Sequence, residues 1–211
     1  MLRYTEADRA MTTDRERLEA WRAGDRRAGR ELLDRHYESL ARFFRNKVGH
    51  ESPDLIQRTM LACIESRDRF RGEASFRTYL FTIARNELCA HYRRSRHDVD
   101  LGTQSVADLG TSPSAVMGRK QEQRLLLEAL RGVSIDAQIT LELYYWEKLN
   151  TREIAEVLGI PSGTVRSRLR SARDAVEAQL SALSRSRQVL SSTVDGFERW
   201  MKSMQARLPP A

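Results

Sequence analysis

A chain of 211 residues is long enough for one medium domain or two small ones. Its 36 lysines and arginines against 29 aspartates and glutamates, a formal charge of +7, favour a polyanionic partner, and arginine, whose planar fork grips phosphate oxygens and guanine edges bidentately, dominates the basic residues. No apolar run approaches the roughly 20 residues needed to cross a bilayer, the N-terminus lacks a signal-peptide core, and Cys63 and Cys89 have neither disulfide nor zinc spacing; these features exclude a membrane-spanning, a disulfide-scaffold or a zinc-bound protein and predict a cytoplasmic one.

Apolar residues recur at helical spacing almost throughout and nowhere alternate with period two for long, which predicts an all-α protein. Residues 1–12 carry no pattern and are expected to form a mobile tail. A first helical domain is expected over 13–97, punctuated at Gly24, at Gly49 to Pro53 and at Gly72 to Ser75. Within it, Leu55, Ile56, Thr59, Met60, Cys63 and Ile64 share one apolar stripe, while Asp54, Gln57, Arg58, Leu61 and Glu65 lie on the other side as a possible docking surface. Further on, Phe76, Leu80, Ile83 and Ala84 form a core stripe. Outside it remain Arg77, Tyr79, Arg85, Asn86 and the basic end His91, Tyr92, Arg93 and Arg94. By position alone, Tyr79 is equally a core-edge aromatic or a surface for stacking a base.

Residues 98–118 shift to Asp, Gly, Thr, Ser and Pro and read as a flexible linker. A second helical domain, 119–184, contains a helix-turn-helix. Counted from Thr151, Ala155 is fifth, Gly159 ninth and Val165 fifteenth, with Ile154, Leu158, Ile160 and Leu169 filling the inward positions. A small alanine lets two helices cross closely, glycine accepts a left-handed turn, and the aliphatics seal the wedge between them. Thr151 is expected to cap the first helix and Pro161-Ser162 to open the second. The outer side of that second helix carries Ser162, Thr164, Arg166, Ser167, Arg170 and Arg173, a face suited to phosphates and base edges in a major groove. In 185–211, Leu190, Val194, Phe197, Met201, Met204 and Leu208 step by fours and threes, with Trp200 beside them. This predicts an amphipathic C-terminal helix covered either by the chain itself, which is the favoured reading, or by another protein.

The phrases DLIQRTMLACIESRDRFRGEASFRTYLFTIARNEL and TREIAEVLGIPSGTVRSRLRSAR resemble those of extracytoplasmic-function sigma factors of bacterial RNA polymerase, of the sigma-70 family. The resemblance covers about residues 20–95 and 120–182, in the family's order. It implies that 13–97 binds core polymerase and recognises and melts the −10 element, that 119–184 reads the −35 element, and that the linker threads toward the polymerase channels. It further implies that Asp54, Gln57, Arg58 and Leu61 dock on a coiled coil of the largest polymerase subunit, although Arg58 stands where an acidic residue is usual. Arg77, Tyr79, Arg85, Asn86, His91, Arg93 and Arg94 would serve the −10 element, where unstacking a base costs a few kcal/mol that cations and aromatic faces must offset. Ser162, Thr164, Arg166, Ser167, Arg170 and Arg173 would serve the −35 duplex.

The partners expected are therefore core RNA polymerase, promoter DNA, and an anti-sigma factor or the C-terminal extension as regulator, with a monomer when free. No catalysis, cofactor or metal is expected: there is no phosphate-binding glycine loop, no nucleophile with a matched base, and no ligand cluster among His36, His50, His91 and His97. Two other readings are a sigma mimic that sequesters an anti-sigma factor, which the intact basic helix argues against, and an ordinary helix-turn-helix regulator, which residues 67–94 argue against.

Overall fold

The computed structural model describes residues 6–70, 72, 74–95, 100–109, 121–183 and 201. Among these lie eight α-helices: α1 Glu6–Arg22, α2 Arg26–Val48, α3 Ser52–Ser66, α4 Phe76–Ser95, α5 Gln121–Arg131, α6 Ile135–Tyr145, α7 Thr151–Leu158 and α8 Ser162–Leu183. There is no strand among the described residues. Helix α1 starts at Glu6, inside the stretch expected as a mobile tail, because Glu6, Ala7 and Ala10 are good helix formers.

Helices α1 to α4 form the first bundle. Asp25 caps α2, its Oδ1 accepting the N–H groups of Arg27 at 2.9 Å and Ala28 at 3.1 Å. At the α1–α2 crossing a Cβ on Gly29 would fall 2.5 Å from the Trp21 indole, so glycine alone allows the approach. A buried hydrogen bond of 2.8 Å between His36 Nε2 and Asp14 Oδ2 ties the two helices further along. Leu32, Leu40, Phe44, Leu55, Cys63, Leu80, Phe81 and Leu88 fill the centre.

Four residues differ from the sequence expectation. Ile64 is 39% exposed rather than part of the buried stripe of α3. Phe81 is fully buried, while Ile83 only packs against the core from its margin. Tyr92, expected in the basic outer end, is buried and donates its hydroxyl to the Lys47 carbonyl at 3.0 Å. Helix α4 touches α1, α2, α3 and α7, so its covered surface is wider than a single stripe.

Helices α5 to α8 form the second bundle. Helix α6 is enclosed on most sides: Ile135, Ile139, Leu141, Leu143 and Tyr145 are buried, and so are Gln138, Thr140 and Glu142. The helix-turn-helix is α7 and α8. Its first helix is capped by Asn150 rather than by Thr151. Asn150 Oδ1 accepts from Arg152 N at 2.9 Å and Glu153 N at 3.1 Å, and Glu153 Oε2 accepts the Asn150 N–H at 2.9 Å, a reciprocal capping box that Thr151, already inside the helix, cannot make. Gly159 takes the left-handed conformation, φ 66°, and Ile160 N closes the turn on the Ala155 carbonyl at 3.1 Å. Ile154, Ala155, Leu158, Val165 and Leu169 are buried between the helices.

The expected linker is docked over 100–109. Val106 is fully buried, Ala107 N donates to Arg131 O at 3.0 Å, and Ile135 N and Asp136 N donate to Gln104 O at 3.0 Å and Leu101 O at 2.9 Å. The start of α6 thereby finds acceptors for its unpaired amides. The two bundles also pack on each other, α4 against α7 and α2 against α5 and α6, and their buried residues form one continuous cluster. Of the expected C-terminal seam only Met201, which is helical and buried, lies within the described residues; Leu190, Val194, Phe197, Trp200, Met204 and Leu208 lie outside them.

Candidate nucleic-acid interface

Helix α8 separates its side chains by period. Val165, Leu169, Ala172, Val176 and Leu180 face inward, which leaves Ser162, Thr164, Arg166, Ser167 and Arg170 exposed along the first two turns. Ser167 Oγ donates to the Thr164 carbonyl at 2.9 Å. Arg173 stands apart from this stripe, half-buried, with its guanidinium 5.4 Å from the centre of the Tyr145 ring. Arg168, which sequence reasoning did not single out, is half-buried and donates to Asp136 Oδ2 at 3.0 Å. The start of α8 is thus a polar and cationic surface on a rigid apolar base.

The candidates on α4 fall into two groups. Tyr79, Asn86 and Arg93 recur every seven residues and so share one side of the helix. Asn86, Arg93 and Arg94 are exposed. Tyr79 is half-buried at the core edge: its ring lies 4.6 Å from that of Phe70, and its hydroxyl hydrogen-bonds to Ser66 Oγ. Burial pushes the Tyr79 phenol above its usual pKa, the Ser66 contact opposing the shift. His91 Nε2 is 3.1 Å from Glu51 Oε2, yet burial holds the imidazole below its usual value, with Glu51 only partly countering. Arg77 and Arg85 instead face the second bundle. Arg77 pairs with Glu147, and Arg85 Nη2 donates to Asp136 Oδ1 at 3.4 Å.

The acids of the second bundle were not foreseen. Glu147 also accepts Arg42 Nη2 at 3.2 Å, and Glu153 Oε1 accepts the hydroxyls of Ser75 at 3.3 Å and Thr78 at 3.4 Å. Glu142 is closed to solvent and paired with the equally closed Lys47 of α2. One signal for the last of these contacts was present, since Glu142, inside the largely apolar run 139–146, needs a buried partner.

On α3, Asp54, Gln57, Arg58 and Leu61 are all exposed and follow one another at helical spacing. Arg58 Nε pairs with Asp54 Oδ2 at 2.9 Å, so the unusual cation is balanced within its own helix. Beside them an open groove of about 430 Å³ is lined by Tyr37, Pro53, Ile56, Gln57, Met60, Leu61 and Ile64. Leu61, Ile64 and Tyr37 are 53%, 39% and 38% exposed, which makes this an uncovered apolar patch. Burial pushes the Cys63 thiol up to about 12, so it is unreactive near neutral pH. Among the described residues no helix is long and apolar enough to cross a membrane, and no group of His, Cys, Asp and Glu could hold a metal ion.

Two family models match the chain, Sigma-70 region 2 over residues 32–97 and Sigma-70, region 4 over residues 123–176, together more than half of it. The chain is similar to the ECF RNA polymerase sigma-E factor of Haemophilus influenzae, 29% identical over 185 residues that cover 81% of this chain and 97% of that protein. The same factor of Escherichia coli K12 is 28% identical over 185 residues, covering 82% and 97%. Among solved structures, CnrH in complex with the cytosolic domain of CnrY matches with a TM-score of 0.61 and 24% identity, covering 82% of this chain and 99% of that one. The sigma factor RpoE in complex with the anti-sigma factor NepR from Bartonella quintana matches with a TM-score of 0.58 and 20% identity over 74% and 98%. These two likenesses establish the all-α fold. Residues 185–211 lie beyond both family matches.

Proposed function

Because the chain belongs to the extracytoplasmic-function group of the sigma-70 family and so directs RNA polymerase to promoters, we propose that it holds a promoter at two points with the residues described above. The 119–184 domain lays the start of α8 into the major groove of the −35 element, where Arg166 and Arg170 reach phosphates and base edges, Ser162, Thr164 and Ser167 add short-range hydrogen bonds, and Arg173 stiffens the rear of the contact. The 13–97 domain takes the −10 element on α4. There Tyr79, Asn86 and Arg93 offer an aromatic edge, an amide and a cation along one stripe, and His91, Arg94, Arg77 and Arg85 widen the basic surface. Core polymerase binds the α3 stripe of Asp54, Gln57, Arg58 and Leu61 together with its apolar groove. The factor carries out no chemistry of its own and works in the cytoplasm as a monomer until it meets the polymerase. The solved relatives bound to CnrY and to NepR suggest regulation by an anti-sigma protein here as well.

The observation that carries this reading is the exposed polar and cationic stripe Ser162 to Arg170 on a helix whose opposite side, Val165, Leu169, Ala172, Val176 and Leu180, is buried. Run-off transcription tests it, with purified core polymerase and the region upstream of the protein's own gene as template. A product that forms only when the protein is added supports the reading, and its absence under conditions where another sigma factor initiates overturns it. Arg170→Ala should cost about 1–3 kcal/mol of discrimination between promoter and unrelated duplex if it reads a base, whereas loss of a phosphate contact at Arg166 should lower the salt slope by about 1. Leu61→Asp should abolish co-purification with core polymerase while leaving duplex binding intact.

A further inference from the structure

Two carboxylates of the second bundle each hold arginines from two helices. Glu147, 3% exposed, pairs with Arg77 of α4 and accepts Arg42 of α2 at 3.2 Å. Asp136 accepts Arg168 of α8 at 3.0 Å and Arg85 of α4 at 3.4 Å, so one side chain ties the DNA-reading helices of both domains to each other. Arg77 and Arg85 therefore meet carboxylate oxygens where a promoter would present phosphates, and the two kinds of acceptor compete for the same guanidinium forks. Glu147 sits on the turn that follows α6, directly after Trp146. That indole is 1% exposed and donates Nε1–H to the carbonyl oxygen of Met201 at 2.8 Å, while the Met201 side chain is fully buried. Residue 201 belongs to the extension that neither family match reaches.

We infer that Met201, seated on Trp146, latches the Glu147 turn so that Glu147 and Asp136 stand in for DNA phosphate and hold the two domains closed. The latch masks Arg77 and Arg85 of α4 and restrains α8 through Arg168, and promoter binding requires the domains to part. This rests on the two-point reading above, because it takes Arg77 and Arg85 as DNA contacts. The inhibitory element is Met201 of the chain itself, and its binding site is the buried indole beside the acidic turn.

The test compares the full-length parent with Met201→Glu, Glu147→Gln and, as a control for charge alone, Glu156→Gln at an exposed position of α7. Two quantities are read without polymerase: the radius of gyration by small-angle scattering, and the affinity for a fluorescent duplex from upstream of the protein's own gene. Met201→Glu and Glu147→Gln should expand the molecule at unchanged helical circular dichroism and tighten duplex binding by roughly fivefold or more, the low end of ordinary coupling between sites. Glu156→Gln should do neither. Folded variants with the parent's radius and affinity overturn the latch, and so does expansion without tighter binding. If Glu147→Gln or Met201→Glu fails to fold, Met201→Ala, which shortens the buried side chain without placing a charge in the core, decides in its place. Failure of the two-point reading shows separately, as an absence of run-off product from every variant and from the parent.

Discussion

Lys47 and Glu142 meet where α2 crosses α6, both shut away from solvent, and burial acts on each in the direction opposite to its partner. Desolvation pushes the ammonium pKa down and the carboxyl pKa up, while the attraction between them opposes both shifts. The remaining polar demands are met by the Phe43 carbonyl, 2.7 Å from Nζ, and by Gln138 Nε2, which donates to Glu142 Oε1 at 2.8 Å. Such a pair adds little net stability, but either half alone is costly. Lys47→Met should destabilise the protein by about 3–5 kcal/mol, and Lys47→Met with Glu142→Leu should recover most or all of that. Urea denaturation of the three proteins checks it, and a double variant no more stable than the single would refute it. His91 gives the pH counterpart. Its folded-state pKa lies below 6.5, so as the pH falls through 6.5 the unfolded chain takes up the proton first. Stability is therefore lost from that point down to the folded pKa and levels off below it. His91→Gln should remove this component, so denaturant midpoints measured from about pH 7 to about pH 5 should fall less for the variant than for the parent.

At the scale of the element, the helix-turn-helix was the most legible part of the chain, for a physical reason. Its inward and outward positions follow from the 3.6-residue period and a single turn glycine, all within 23 consecutive residues from Thr151 to Arg173. What spacing could not resolve was which of two adjacent polar residues makes the cap, since Asn150 and Thr151 both suit it, and the choice fell to Asn150 through its reciprocal bond with Glu153. Asn150→Ala should accordingly cost about 1 kcal/mol. Thr151→Ala should cost much less, and thermal unfolding of the two variants separates them; equal losses would contradict the assignment. The exposure of the Asp54 stripe was equally readable. The docking of residues 100–109 was not, because its hydrogen bonds join backbone groups more than twenty residues apart and leave no periodic trace. Tyr92 failed for a related reason: charged neighbours drew it into an outer face, while its hydroxyl had a buried carbonyl to reach. Arg168 shows the same limit on α8, where its partner Asp136 is 32 residues away.

Taken whole, the chain carries two family segments yet shares one core. Leu40, Phe44 and Leu80 of the first bundle belong to the same buried cluster as Leu127, Ile139 and Val165 of the second. Across the boundary run Lys47 to Glu142, Arg42 and Arg77 to Glu147, Arg85 to Asp136, and the Ser75 and Thr78 hydroxyls to Glu153. Independent domains would each lose stability at their own denaturant concentration, whereas a shared core requires both to open together. The parent should therefore unfold in urea in a single transition, with circular dichroism and tryptophan emission superimposing. Trp21 reports on the first bundle and Trp146 on the second, so the two signals sample both sides of the boundary. Asp136→Asn combined with Glu147→Gln removes the charges that pair with Arg42 of α2 and with Arg77 and Arg85 of α4 across it, while leaving the Lys47–Glu142 pair and the cores of the separate bundles untouched. In that variant the transition should broaden or split, with total helical signal unchanged at zero denaturant. A single sharp transition in the variant, at the parent's midpoint and slope, would mean that apolar contact and the remaining polar pairs suffice to couple the bundles and that Asp136 and Glu147 contribute nothing to keeping them together.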